Sequence, residues 1–145
     1  MVQRILVGIG VACLLVVSCQ LLFTSDRDLV ESKMEELFDI ARLGGEDAVE
    51  RILDEFAEDY RGSGTFSRAR VERQLRWALI PDGKSTEIKH GDFDPIVVGT
   101  EIEIPIVSVS AEVDGTPVRV ILRVVWGPED QDWKIVDITR WQTNR

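Results

Sequence analysis

The 145-residue sequence carries 17 basic and 26 acidic side chains, a net charge of −9, and 44% hydrophobic residues. That acidity disfavours nucleic acid as a partner, because phosphate backbones, like anionic membrane surfaces, repel a negative domain. Cys13 and Cys19 are the only cysteines and both lie near the N-terminus, so the rest of the chain holds no disulfide, thiolate nucleophile or cysteine metal site.

Arg4 precedes an apolar run over 5–17 that ends in Val16-Val17-Ser18-Cys19. One positive charge, about 13 apolar residues and a small residue before the break have the make-up of a secretory signal. The tetrapeptide resembles the lipobox of bacterial lipoproteins, in which cleavage before the cysteine leaves a lipid-bearing N-terminus. The resemblance implies a signal peptide over 1–18, lipidation at Cys19 and a tether over 19–27. It also implies a cell-envelope location, anchored to the membrane and facing away from the cytoplasm. Gln20, by the rule of that family, would send such a lipoprotein to the outer membrane of a Gram-negative cell. Two alternatives stay open. Leu21, Leu22 and Phe23 prolong the apolar stretch, and 5–23, at roughly 20 residues, is long enough for an uncleaved anchor; simple secretion is the other.

Past a polar spacer at 24–27, Leu29, Val30, Met34, Leu37, Phe38 and Ala41 recur at helical spacing and predict a helix over 28–42, stopped by Gly44-Gly45. Val49, Ile52, Leu53, Phe56, Ala57 and Tyr60 predict a second helix over 46–60, with Glu46 and Asp47 suited to its N-terminal dipole. Ser67 reads as the N-cap of a third helix reaching about Leu79, with Phe66 and Val71 placed as a hydrophobic staple. Pro81-Asp82-Gly83 ends it.

The period then changes to two. A weak strand is expected over 86–93, interrupted at Asp94-Pro95. The strand over 100–113 shifts phase: Ile102, Ile104 and Ile106 are even, whereas Val107, Val109, Ala111 and Val113 are odd, which predicts a β-bulge at 105–107. Asp114-Gly115 is a preferred two-residue hairpin turn, and it pairs Val113 with Thr116, Ala111 with Val118, Val109 with Val120 and Val107 with Leu122. A turn over 127–132 leads to a last strand over 133–141.

Three helices followed by a bent antiparallel meander make an α+β domain with the helices on one side of the sheet. The element order, with Tyr60-Arg61-Gly62, Ser67-Arg68 and Trp133-Lys134-Ile135-Val136 at its junctions, resembles the NTF2-like (SnoaL-like, ketosteroid-isomerase-like) superfamily over 28–145. The resemblance implies a cone-shaped fold enclosing a pocket. That fold hosts isomerases, dehydratases and domains that only bind, so it does not by itself name a function.

Gly83-Lys84-Ser85 ends like a phosphate-binding loop, but Ala78 occupies the first glycine position and a helix precedes it, so it reads as a turn. His90, the single histidine, reads as an edge residue before it reads as a base or ligand. Asp92 and Asp94 supply two carboxylates where a hard cation wants six or more oxygens, so a solvated turn is the better account and no metal is expected. Arg68, Arg70, Arg73 and Arg76 crowd the third helix, either in ion pairs along solvated faces or as an anion-docking face.

The four tryptophans, Trp77, Trp126, Trp133 and Trp141, point to surface or pocket use. Ile121 and Val125, opposite Val120 and Val124, leave both faces of the hairpin partly apolar, which raises a homodimer through the sheet. The leading expectation is a membrane-tethered, non-enzymatic domain that uses no cofactor. It binds a small apolar ligand, with Phe56, Tyr60, Trp77 and Trp126 as pocket lining unless they are simply core, or an envelope protein. The rival is an isomerase- or dehydratase-like enzyme using Asp137, which interrupts the last strand between Val136 and Ile138, together with Tyr60. A self-associating structural module is the third.

Overall fold

The computed structural model describes residues 25–80, 87–113 and 115–140. Residues 1–24, and with them the signal or anchor and Cys19, lie outside the described residues, as do Gly83-Lys84-Ser85 and Trp141. No helix among the described residues is long and apolar enough to cross a membrane.

Helix α1 spans Asp26–Leu43, so it takes in the last two positions of the expected tether. The Ser25 side chain accepts from the Asp28 amide at 3.2 Å, and Asp26 and Asp28 place negative charge on the first turn, where the helix dipole favours it. Gly44, at φ 67°, stops the helix in a left-handed conformation that an L side chain rarely adopts.

Helix α2 covers Gly45–Leu53 and ends well before Tyr60, where the apolar spacing would carry it. The reason lies in the far end of the chain. The Ile135 amide donates to the Glu55 carbonyl at 2.7 Å, Ala57 donates to the Ile135 carbonyl at 2.9 Å, and Arg61 donates to the Val136 carbonyl at 2.8 Å. These bonds lay the segment along the sheet edge, with Phe56 paired in parallel to Ile135, and they compete with the bonds that would extend the helix. A short 3₁₀ turn, Gly64–Phe66, precedes helix α3, Arg68–Leu79, with Ser67 at its N-cap position.

Five strands follow: β1 Lys89–His90, β2 Ile96–Val98, β3 Glu101–Val113, β4 Thr116–Glu129 and β5 Asp132–Arg140. They form one antiparallel sheet in the order β1-β3-β4-β5, with β2 on the same edge of β3 as β1. The expected strand over 86–93 is reduced to two residues. The β3–β4 register is the one the hairpin turn dictates: Val113 faces Thr116, Ala111 Val118, Val109 Val120 and Val107 Leu122. Between Ile104 and Val107 the register shifts, as the phase change requires.

A second shift, between Val125 and Trp126 on β4, leaves Val136 as the extra residue on β5. The last turn is tighter than expected, with β4 running to Glu129 and only Asp130 (φ 47°) and Gln131 (φ 65°) between the strands. Two successive positive φ values mark the primed hairpin turn, which matches the strand twist. Pro128 is tolerated because β4 has outrun β3 there and pairs only with β5.

The helices pack on one face of this sheet. Val30 and Met34 of α1 and Val71 of α3 meet Ile102, Ile104, Val107, Val124, Trp126 and Ile135 in the main core. A second cluster, Ile40, Ala48, Val49, Ile52 and Leu79, joins the three helices to one another.

Candidate functional site

Strand alternation after the β3 bulge turns Val107, Val109 and Ala111 toward the helices, and the matching β4 residues are Leu122 and Val124. From β5, Ile135 and Ile138 join them. The opposite wall is α1, through Leu37, Phe38 and Ala41, and α3, through Val71, Gln74, Leu75 and Ala78. Phe56, Phe66 and Ile88 fill gaps between these elements. The sheet and helices do not close completely: between them lies a cavity of about 330 Å³. Gln74 is the single polar side chain among its described lining residues, and none of them is titratable.

Only one of the four residues expected in the lining is there. Phe56 is buried and lines the cavity. Tyr60 stacks on Phe56, with centroids 5.0 Å apart, but its hydroxyl turns away to donate to the Phe66 carbonyl at 2.7 Å. Burial pushes that hydroxyl up to about 12, and the Asp137 carboxylate adds to the shift. Trp126 is fully buried core off the cavity, with the Lys33 ammonium 5.9 Å from its ring centroid and its Nε1 unpartnered among the described residues. Trp77 is 62% exposed on the outside of α3. Trp133 packs half-buried against the main core.

Asp137 faces away from the cavity, since its neighbour Ile138 faces in. Its Oδ2 lies 3.8 Å from Arg123 Nη1, and Arg123 Nε donates to Glu103 Oε1 at 2.5 Å. Tyr60 and Asp137 therefore do not converge on the cavity. On the same outer face, Val125 is covered by Ala57 and Val136, so the segment after α2 shields part of the apolar surface that the alternation left open.

His90 sits on β1 in a three-ring cluster, 4.6 Å from Phe38 and 4.6 Å from Phe93, which are themselves 5.7 Å apart, with Nδ1 2.8 Å from the Gly91 carbonyl. Asp92 and Asp94 are exposed, and Asp94 pairs with Arg27 at 2.8 Å. No group of three or more metal-ligating side chains occurs among the described residues. Of the α3 arginines, Arg76 reaches Glu72 and Glu46, both at 3.3 Å; the side chains of Arg68, Arg70 and Arg73 hold no hydrogen bond or ion pair among the described residues. The sequence missed the inner-face residues Val109, Ala111, Leu122 and Ile138 as lining. The hairpin register already placed the first three on one face.

No family model matches the sequence, and no curated protein matches it either. Solved structures do match the fold. A Xanthomonas campestris protein assigned as a calcium/calmodulin dependent protein kinase II association domain superimposes with a TM-score of 0.57 at 13% identity, covering 78% of this chain and 84% of that one. A designed protein of the NTF2 type superimposes with a TM-score of 0.52 at 19% identity, covering 81% of this chain and all of that one. These likenesses show an NTF2-like fold, three helices on an open antiparallel sheet.

Proposed function

We propose that this chain is a membrane-tethered NTF2-like domain whose cavity binds a small apolar ligand without transforming it. The observation that carries the reading is the cavity of about 330 Å³, at the lower end of the volumes that hold small molecules, with a wall that is apolar but for Gln74. Such a wall rewards burial of hydrocarbon and offers almost nothing to a polar solute. The lining favours binding over the isomerase alternative, because proton transfer requires a titratable group within reach of the substrate. Tyr60 and Asp137 are committed elsewhere, one to a backbone carbonyl and the other beside Arg123.

Dodecanol serves as a probe for the full chain in nanodiscs, with empty nanodiscs subtracted. Saturable binding of one dodecanol per chain, lost when Ala78→Leu fills the cavity from α3, is the expected result. Binding that never saturates, or that Ala78→Leu leaves intact, overturns the reading. The tether rests on the lipobox-like Val16-Val17-Ser18-Cys19 and is tested separately. Labelled palmitate should enter the chain in a bacterial host and be lost in Cys19→Ser. Incorporation that survives that change overturns lipidation at Cys19.

A further inference from the structure

In this acidic chain Arg27, Arg42, Arg61, Arg76 and Arg123 each engage a carboxylate. Arg51, Arg68, Arg70, Arg73, Arg119 and Arg140 are exposed and engage none among the described residues; of these, Arg70 and Arg140 stand beside cavity-lining residues.

Arg70 and Arg140 do not line the cavity, but one stands a helical turn, and the other a strand repeat, from a residue that does. One flank of α3 faces α2, because Arg76 reaches Glu46 and Leu79 joins the cluster of Ile40, Val49 and Ile52. The other flank carries Arg70 and, one turn on, Gln74, which lines the cavity while remaining exposed. Helical side chains lean toward the N-terminus, so Gln74 lies over the turn that bears Arg70.

The sheet supplies the second cation. Arg140 stands directly opposite Leu122, and two residues before it on β5 is Ile138; both of those line the cavity, so alternation puts Arg140 on the inner face beside them. The Arg61 amide is bonded to the Val136 carbonyl and the Tyr60 hydroxyl to the Phe66 carbonyl, so the chain that leads into α3 starts from β5. Glu72 is held by Arg76, Glu112 alternates onto the outer face, and Glu87, beside Ile88, lies 3.8 Å from Lys89.

We infer that the cavity takes a single-chain amphiphile with a carboxylate head, its hydrocarbon among the apolar side chains and its carboxylate at the rim between Arg70, Arg140 and the Gln74 amide. This rests on the apolar-ligand reading and narrows its ligand class. Two guanidinium forks and one amide donor match a carboxylate, whose oxygens accept several hydrogen bonds at once. An uncharged head would leave both cations where water already satisfies them.

The full chain in nanodiscs is titrated with dodecanoate and with dodecanol. Dodecanoate is expected to bind at least about tenfold more tightly, the effect of roughly one charge-assisted hydrogen bond. The double variant Arg70→Gln, Arg140→Gln should bring dodecanoate down to the dodecanol level and leave dodecanol unchanged, which also shows that the fold is intact. Arg119→Gln removes an outer-face arginine opposite Ser110 and should change neither. Equal affinity for the two probes, or an equal loss in Arg119→Gln and in the double variant, overturns the carboxylate assignment while the apolar-ligand reading stands. If neither probe binds, both fall.

Discussion

The Tyr60 hydroxyl donates a 2.7 Å hydrogen bond to the Phe66 carbonyl and thereby closes the loop between the sheet-edge segment and α3. Gly62 sits inside this closure, and a Cβ there would lie 2.1 Å from the Tyr60 hydroxyl oxygen. Tyr60→Phe should cost about 0.5–1.5 kcal/mol, the net value of one hydrogen bond. Gly62→Ala should cost more, about 1–3 kcal/mol, because the whole ring must leave a packed site. Urea denaturation of both variants measures the order, and a smaller loss in Gly62→Ala contradicts the packing.

Tyr60 is also the chain's single tyrosine, which makes its titration directly visible. Tyrosinate absorbance should rise with a midpoint near pH 12 in the folded protein, against 10.0 for the free side chain. A raised pKa means that the neutral hydroxyl is the form the fold favours. Its stabilising contribution is therefore complete below pH 10 and is lost as pH climbs toward 12. A folded-state midpoint at the ordinary tyrosine value would contradict the burial.

Lys33 ties α1 to the last hairpin, with Nζ 2.5 Å from Asp132 Oδ1 and 2.9 Å from the Trp133 carbonyl. The hydrogen bond from Lys33 holds the Asp132 carboxyl below its ordinary 3.8, so the contribution is present above that pH and fades as pH falls below it. Asp132→Asn should therefore be less stable than the parent at neutral pH, and the gap should narrow under acid. Parallel urea curves at neutral and acid pH check the sign; a gap that widens on acidification refutes it.

On the outer face of the sheet, Glu103 takes Arg123 Nε at 2.5 Å, whereas Asp137 approaches only to 3.8 Å. Glu103→Gln should cost more than Asp137→Asn, both within about 1 kcal/mol because the pairs are partly solvated. Asp137→Asn should leave dodecanol binding unchanged. A thermal melt and one titration per variant decide it, and loss of binding would return Asp137 to the cavity.

Trp126 is fully buried with an unpartnered Nε1 among the described residues. Truncation to Ala should cost about 3–5 kcal/mol. Trp126→Phe should cost much less, since it keeps most of the ring volume and removes a buried donor that has no acceptor. Equal losses in the two variants, read from urea midpoints, would mean that the indole N–H finds an acceptor after all.

Local rules in the sequence determined the order of three helices and then strands, the glycine stop at Gly44, the β3 bulge and the β3–β4 pairings from Val107/Leu122 to the turn. Each depends on neighbours within one turn or one hairpin, so periodicity and turn chemistry suffice to set it. What the tertiary structure alone decided involves partners far apart in the chain. The apolar stripe from Val49 to Tyr60 would continue as helix, but the Glu55 carbonyl and the Ala57 and Arg61 amides bond to β5 some 80 residues later, and α2 ends at Leu53. Residue type suggested that tryptophans and a tyrosine line the pocket, because large rings with polar tips suit such places. Packing buried Trp126, left Trp77 outside and turned the Tyr60 hydroxyl onto a carbonyl, while valines, leucines and alanines of the inner sheet face became the wall. An aliphatic side chain reads the same in core and in cavity lining. The difference between them is whether the opposing layer reaches it, and that is settled only when helices and sheet are packed together.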